Sequence, residues 1–303
     1  MNKTLLALAL LALAACQRTA ETPAEPDTDT TAAAVEAAAD DAADGRLSRV
    51  LATQPEDVQA RYRFRNPQET LEFFGVEPGM TVVEALPGRG WYTKILLPYL
   101  GSDGHLIGAN YAMDMWPNFR FANEEFLATQ ATWLADWPAG AEEWRGDDGA
   151  TIAAFNFGAM PDSMTGTADV VLIVRALHNA ARFASVRGFL DEILADAFRV
   201  LKPGCTLGIV QHHARDDMSD EFADGSHGYL KTSFVVAAAE AAGFELVAES
   251  DINANPLDQP TEDDVVWRLP PSYGTSQDDP ELQAQMEAIG ESNRMTLKFR
   301  KPE

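Results

Sequence analysis

Apolar residues recur along this chain in two rhythms. Short runs of strand length occur at Thr81–Ala85, His105–Ala109, Thr151–Phe157, Asp169–Val174, Thr206–Val210, Phe244–Ser250 and Met295–Arg300. Asp169–Val174 is almost wholly apolar, as expected of a strand buried on both faces. Between these runs, apolar positions return every three or four residues and predict helices over Trp91–Leu100, Asn123–Leu134, Ser185–Leu201, Thr232–Ala242 and about Pro280–Ile289. Asn66 as N-cap, Pro67 in the first turn and Gly75 at the end predict a further short helix. Lys202-Pro203-Gly204 marks a stop after the Ser185–Leu201 helix, and Gly243 ends the Thr232–Ala242 helix. Strands alternating with helices call for an α/β fold, a mainly parallel sheet with helices on both faces.

The stretch from Thr81 to Thr93 is the most informative. An acid, Glu84, stands near the end of the first strand, and Gly88 and Gly90 follow in a tight turn before a helix. Such a turn tolerates positive φ and lets a ligand approach bare backbone, while the helix start offers unpaired N–H groups. The dinucleotide fingerprint has three glycines and an acid about 20 residues later; here the acid comes first. That order resembles the first motif of class I S-adenosylmethionine methyltransferases, acid-x-Gly-x-Gly-x-Gly, with Leu86 in place of the first glycine. Further pieces carry the resemblance over about residues 60 to 303: Ala168-Asp169-Val170-Val171-Leu172 through His178, Gly243-Phe244 with Ser250, Asn255-Pro256, Trp267-Arg268-Leu269-Pro270-Pro271, and Leu297-Lys298-Phe299-Arg300-Lys301-Pro302. Together they resemble a bacterial subgroup of predicted methyltransferases.

The resemblance implies a Rossmann-like sheet of seven strands, mostly parallel, with the last antiparallel, and methyl transfer from S-adenosylmethionine to a small molecule by in-line displacement. By the same resemblance Glu84, Gly88 and Gly90 hold the methionine part of the cofactor, and Asn110 or Asp114 its ribose. Asn110 also reads as a turn residue tolerant of left-handed geometry. Trp91 and Tyr92 either face the sulfonium through cation–π contact, worth roughly 0.5–2 kcal/mol, or pack the helix on the sheet.

The chain opens with Lys3, an apolar run from Leu5 to Leu13, and Leu13-Ala14-Ala15-Cys16. The run is too short to span a bilayer, which takes about 20 residues, and reads as a secretory signal. Leu-Ala-Ala-Cys resembles the bacterial lipobox, implying removal of residues 1–15 and a lipid on Cys16; Gln17 then resembles the sorting residue of outer-membrane lipoproteins, on the periplasmic face. Residues 16–45 are alanine, threonine, proline and acid, a disordered tether, and the methyltransferase-like domain follows over 46–303. Cys205 is the only other cysteine, so a lipidated Cys16 leaves no intrachain disulfide.

Charge and the ends of the predicted strands narrow the chemistry. The 303 residues carry 47 acids and 23 bases, a net −24, which excludes a partner held through many phosphates, so no nucleic acid is expected. The charge serves solubility, or a negative field that favours a cationic ligand such as a sulfonium. An insertion at about 112–148 holds Trp116, Trp133, Trp137 and Trp144, as core or as an aromatic lid. Arg175, His178 and Asn179 follow a buried strand, where ligands of open α/β sheets bind, and His178 suits a general base or an orienting donor. His212 and His213, with Asp216, Asp217 and His227, are weak metal candidates matching no compact zinc spacing. Two alternatives stay open beside methyl transfer: a periplasmic binding or scaffold protein that has lost or exchanged S-adenosylmethionine, a cofactor made in the cytosol, and a metal-assisted hydrolase.

Overall fold

The computed structural model describes residues 45–303; the signal, Cys16 and most of the tether lie outside the described residues. Helix α1 occupies residues 45–52. It is followed by α2 (Glu56–Gln59), α3 (Tyr62–Arg65), α4 (Pro67–Phe74), β1 (Thr81–Ala85), α5 (Thr93–Leu100), β2 (His105–Asn110) and α6 (Glu124–Arg145). The chain continues through β3 (Thr151–Asn156), β4 (Ala168–Val174), α7 (Leu177–Arg182), α8 (Phe189–Val200) and β5 (Leu201–His212). It closes with α9 (Thr232–Ala241), β6 (Glu245–Ser250), α10 (Pro280–Ile289) and β7 (Arg294–Arg300).

The strands form one sheet in the order β3-β2-β1-β4-β5-β7-β6. All pairings from β3 across to β5 are parallel, while β7 runs antiparallel to both β5 and β6. The chain winds outward from β1 to one edge and then returns to lay β4 on the other side of β1. That reversal of order opens a crevice at the carboxyl ends of β1 and β4. Both sheet faces are covered, and residue alternation divides the strands between two cores. Val82, Leu106, Val170 and Leu172 pack with Leu71, Phe74, Ile95 and Leu96 from α4 and α5. Val83, Ile107, Val171 and Ile173 pack with Phe189, Ile193 and Leu194 from α8.

Several boundaries differ from those the sequence predicts. Helix α8 begins at Phe189, and Val186, expected on its apolar stripe, is 57% exposed. Lys202-Pro203-Gly204 does not separate helix from strand: β5 starts at Leu201, opposite Ala168, and a register shift before the Thr206–Val170 pair absorbs the Pro-Gly. Asn66 does not cap α4 through its side chain; it lies at φ +38° and its amide donates to the Ile252 carbonyl at 2.6 Å. Helix α6 runs far past Leu134 to Arg145, through Pro138, and its N-cap Asn123 accepts from the Phe126 N–H at 2.8 Å.

Candidate functional site

A cavity of about 770 Å³ lies at the carboxyl edge of the sheet, where the reversal of strand order places it. Leu86 and Gly88 after β1, Val174 and Arg175 at the end of β4, and His212 at the end of β5 form its floor. Its walls are aromatic and aliphatic: Tyr111, Trp116 and Phe119 from the segment after β2, and Trp267 with Leu269, Pro270 and Pro271 from the loop after β6. Two backbone positions beside it are unusual. Leu86, at φ +52°, keeps the left-handed geometry that a glycine would adopt freely, and Arg175 does the same at φ +57°. The turn is thus bent as glycine would bend it, with a side chain retained.

Guanidinium groups surround one buried carboxylate. Glu291, between α10 and β7, takes Arg65 Nε at 2.9 Å, Arg294 Nη1 at 3.2 Å and Arg175 Nη1 at 3.5 Å, and pairs with Arg61 as well. Burial alone would raise its carboxyl, but Arg65, Arg294, Arg175 and Arg61 outweigh that and hold it below the usual range. Arg65 is pushed down to about 10, first by burial and then by Arg175, against the opposite pull of Glu291. Arg294 and Arg175 are lowered by burial too. The negative field expected from the net charge therefore does not extend to this site. Among the described residues lining the cavity, Arg65, Arg120, Arg175 and Arg182 face a single acid, Glu291.

The histidines at this edge are neutral near pH 7. Burial pushes His178 down to about 4, with Arg182 and Arg175 adding to the effect and the Gln211 side chain opposing it. Its Nδ1 lies 3.4 Å from Gln211 Nε2 and 3.5 Å from Oε1, and its ring is 5.4 Å from that of His212. His212 is also held low by burial, and its Nδ1 meets Ser292 Oγ at 2.5 Å. A depressed pKa makes His178 a weak base but leaves it free to orient a ligand. Asn179 donates to the Tyr111 hydroxyl at 3.3 Å, which itself donates to the Ala176 carbonyl at 2.6 Å. The Trp267 wall is anchored beneath: Arg268 donates to Asp258 at 2.7 Å and to the Tyr229 hydroxyl at 2.8 Å, all three buried.

The predicted residues divide. Arg175, His178, Asn179, Gly88 and His212 line the cavity; Glu84, Gly90, Trp91, Tyr92, Asn110, Asp114, His213 and His227 are not among its lining. Glu84 is buried and accepts from Thr93 Oγ1 at 2.6 Å. A Cβ on Gly90 would stand 2.2 Å from the Trp144 ring, so α6 covers that glycine. Asn110 is buried, its Oδ1 taking the Tyr111 N–H at 3.0 Å and its Nδ2 donating to Gln130 at 3.1 Å. Asp114 is exposed beside Arg187 at 3.2 Å. Trp91 packs against Tyr62 and Arg65, and Tyr92 is buried near the guanidinium cluster. Gly88, by contrast, is open, with only the Leu86 carbonyl near a Cβ at 3.8 Å. Gly88 thus fits the close backbone approach of a cofactor's methionine end; Gly90 and Asn110, as they stand, do not offer their atoms to S-adenosylmethionine. His213 lies near Asn293 and His227 stacks on Phe222, and among the described residues no cluster of His, Cys, Asp and Glu is built to hold a metal.

The sequence did not point to Arg65, Glu291 or Arg294. The one available signal was Arg61-Tyr62-Arg63-Phe64-Arg65, a dense basic run in a chain of net −24.

No family model matches this chain, and none of the curated proteins does. Solved structures do. A complex of the Haloferax volcanii Trm112 methyltransferase activator with a putative methyltransferase aligns at TM-score 0.48 and 16% identity, over 82% of this chain and 93% of that one. A putative methyltransferase of Bacillus halodurans C-125 aligns at 0.45 and 18%, over 79% and 100%. The [4+2]-cyclase SpnF aligns at 0.46 and 14%, over 78% and 80%. The chain has the Rossmann-like class I methyltransferase fold. Its strand order and antiparallel β7 establish that directly.

Proposed function

We propose that this protein is an S-adenosylmethionine-dependent methyltransferase acting on a small molecule held in the carboxyl-edge cavity. The observation that carries the reading is the placement of the open Gly88 turn and of Arg175, His178 and Asn179 on one cavity at the reversal of strand order. Methyl transfer asks chiefly for positioning and exclusion of water. In this reading His178, neutral and buried, orients the acceptor by a hydrogen bond, and the aromatic walls keep water out. Titrating the full chain with S-adenosylmethionine or S-adenosylhomocysteine tests it. Saturable heat and a raised unfolding temperature are expected, with stabilisation of about 2.7 kcal/mol at a hundredfold excess over Kd. No binding up to millimolar concentration removes the reading.

A second reading is favoured by a specific set of contacts. Trp144 over Gly90 and Gln130 on Asn110 occupy the places a cofactor would use, which supports a binding or scaffold protein of the same fold that has exchanged its ligand. The same titration separates the two.

In either reading Cys16 carries the lipid that holds the domain at the periplasmic face of the outer membrane. Labelling cells with a radioactive fatty acid tests this: Cys16→Ser should abolish the label on the protein, and a label that persists overturns the anchor.

A further inference from the structure

The balance of charge in the guanidinium cluster beside the cavity is not explained by folding. Four arginines, Arg61, Arg65, Arg175 and Arg294, converge on Glu291, so the cluster holds three positive charges in excess if each keeps its proton. Arg65, Arg294 and Glu291 are almost wholly buried, and desolvating charge that lacks a counter-ion is costly. A cluster built for stability alone would bring acids in equal number. The chain has 47 of them, yet Glu291 is the only acid among the described residues lining the cavity.

Arg175 and Arg65 are the members that line the cavity, and Arg175 is the more exposed of the two. It lines the cavity, makes its longest contact to Glu291 at 3.5 Å, and its Nε is buried with no hydrogen-bond partner. It is also held at φ +57°, a conformation that costs an arginine energy and persists where the surroundings fix it. Arg182 adds a further cation on the same cavity, stacked on Phe183 and Phe119. Trp116, Phe119 and Trp267 line the same cavity and give it apolar surface.

We infer that the cavity is a site for an amphiphilic anion: a carboxylate or phosphate seated on Arg175 and Arg65, with an aromatic or apolar body lying between Trp116, Phe119 and Trp267. Planar guanidinium forks match both oxyanions, and the aromatic walls supply burial for the rest of the ligand. The site does not depend on whether the protein transfers methyl groups.

Calorimetric titration of the full chain with four probes of one shape tests it: 2-naphthoate, 2-naphthyl phosphate, neutral 2-naphthylmethanol and cationic 2-naphthylmethylammonium. At least one anion should bind saturably and ten times or more tighter than the alcohol, with the ammonium weakest. The tighter of the two anions tells carboxylate from phosphate. Arg175→Gln should weaken the anion at least tenfold and leave the alcohol unchanged, while the apo protein keeps its unfolding temperature. Were that variant to unfold, Arg182→Gln carries the same comparison, because its side chain touches only aromatic rings among the contacts described. Equal affinity for anion and alcohol, or anion binding indifferent to both substitutions, overturns the inference.

Discussion

Gly88 and Gly90 share a turn and a positive φ, yet their substitution will not cost the same. At Gly88, φ +56°, a Cβ meets nothing closer than 3.8 Å, so Gly88→Ala carries only the left-handed penalty of about 1 kcal/mol. At Gly90, φ +75°, the Cβ would overlap the Trp144 ring as well, and overpacking adds roughly 1–3 kcal/mol. Urea unfolding of the two variants measures the difference, and equal losses would mean that Trp144 does not rest on Gly90. The guanidinium cluster gives a second contrast. Glu291→Gln leaves four arginines without their shared acid and should cost on the order of 3–5 kcal/mol. Arg175→Gln removes one repelling charge and a long contact, so its cost should stay below about 1 kcal/mol. A structural arginine would show the reverse order.

Two elements flank the glycine turn differently: the loop of residues 251–279 gives the cavity a wall, while α6 covers Gly90 outside it. The first part of the loop is tied by Asn253 to Thr70 and Thr296 and by Asn255 to the Ile289 and Glu291 carbonyls; the rest is tied by Arg268, whose bonds to Asp258 and Tyr229 are buried and whose neighbour Trp267 forms a cavity wall. Arg268→Ala strands Asp258 without its cation, and hydrogen exchange should rise across 251–279 while β1 and β4 stay protected. Uniform loss of protection would instead show that the loop is part of the global fold. The sequence made these elements legible to unequal degrees. Strands β1, β2, β4 and β7 could be read because each has a buried run bounded by a turn: Thr81–Ala85 stands where the pattern put it. The extent of α6 could not, because past Leu134 it holds Pro138 and only Trp137 and Ala141 are buried, too few for a stripe. The His178 edge was legible because it follows a buried strand. The Arg65–Glu291 pair was not, since 226 residues separate its members and a surplus of arginine has no local period.

At the scale of the molecule, the buried titratable groups pull stability in opposite directions with pH. Burial raises Glu84 from 4.5 to about 7, against the hydrogen bonds from Thr93. The protonated carboxyl is therefore favoured by folding, and its contribution, present below pH 4.5, is lost as pH rises through about 7. His178 and His212 do the opposite. Burial, followed for His212 by His178 and the neighbouring arginines, keeps both below 6.5. Their contribution is complete above 6.5, and that of His178 is lost as pH falls toward about 4. Between 4.5 and 6.5 two histidines outnumber one glutamate. Each proton is worth about 1.4 kcal/mol per pH unit, so stability should rise with pH over that interval. Above 6.5 only the Glu84 slope remains among these three groups, and a shallow fall should follow until it is fully ionised. Unfolding free energies between pH 4.5 and 8 should thus peak near 6.5. Glu84→Gln, which keeps an oxygen for Thr93, should remove the fall above the peak; His178→Gln with His212→Gln should flatten the rise below it. A profile that climbs steadily through pH 7.5 in the parent, unchanged by Glu84→Gln, would show that burial does not hold this carboxyl protonated in the folded protein.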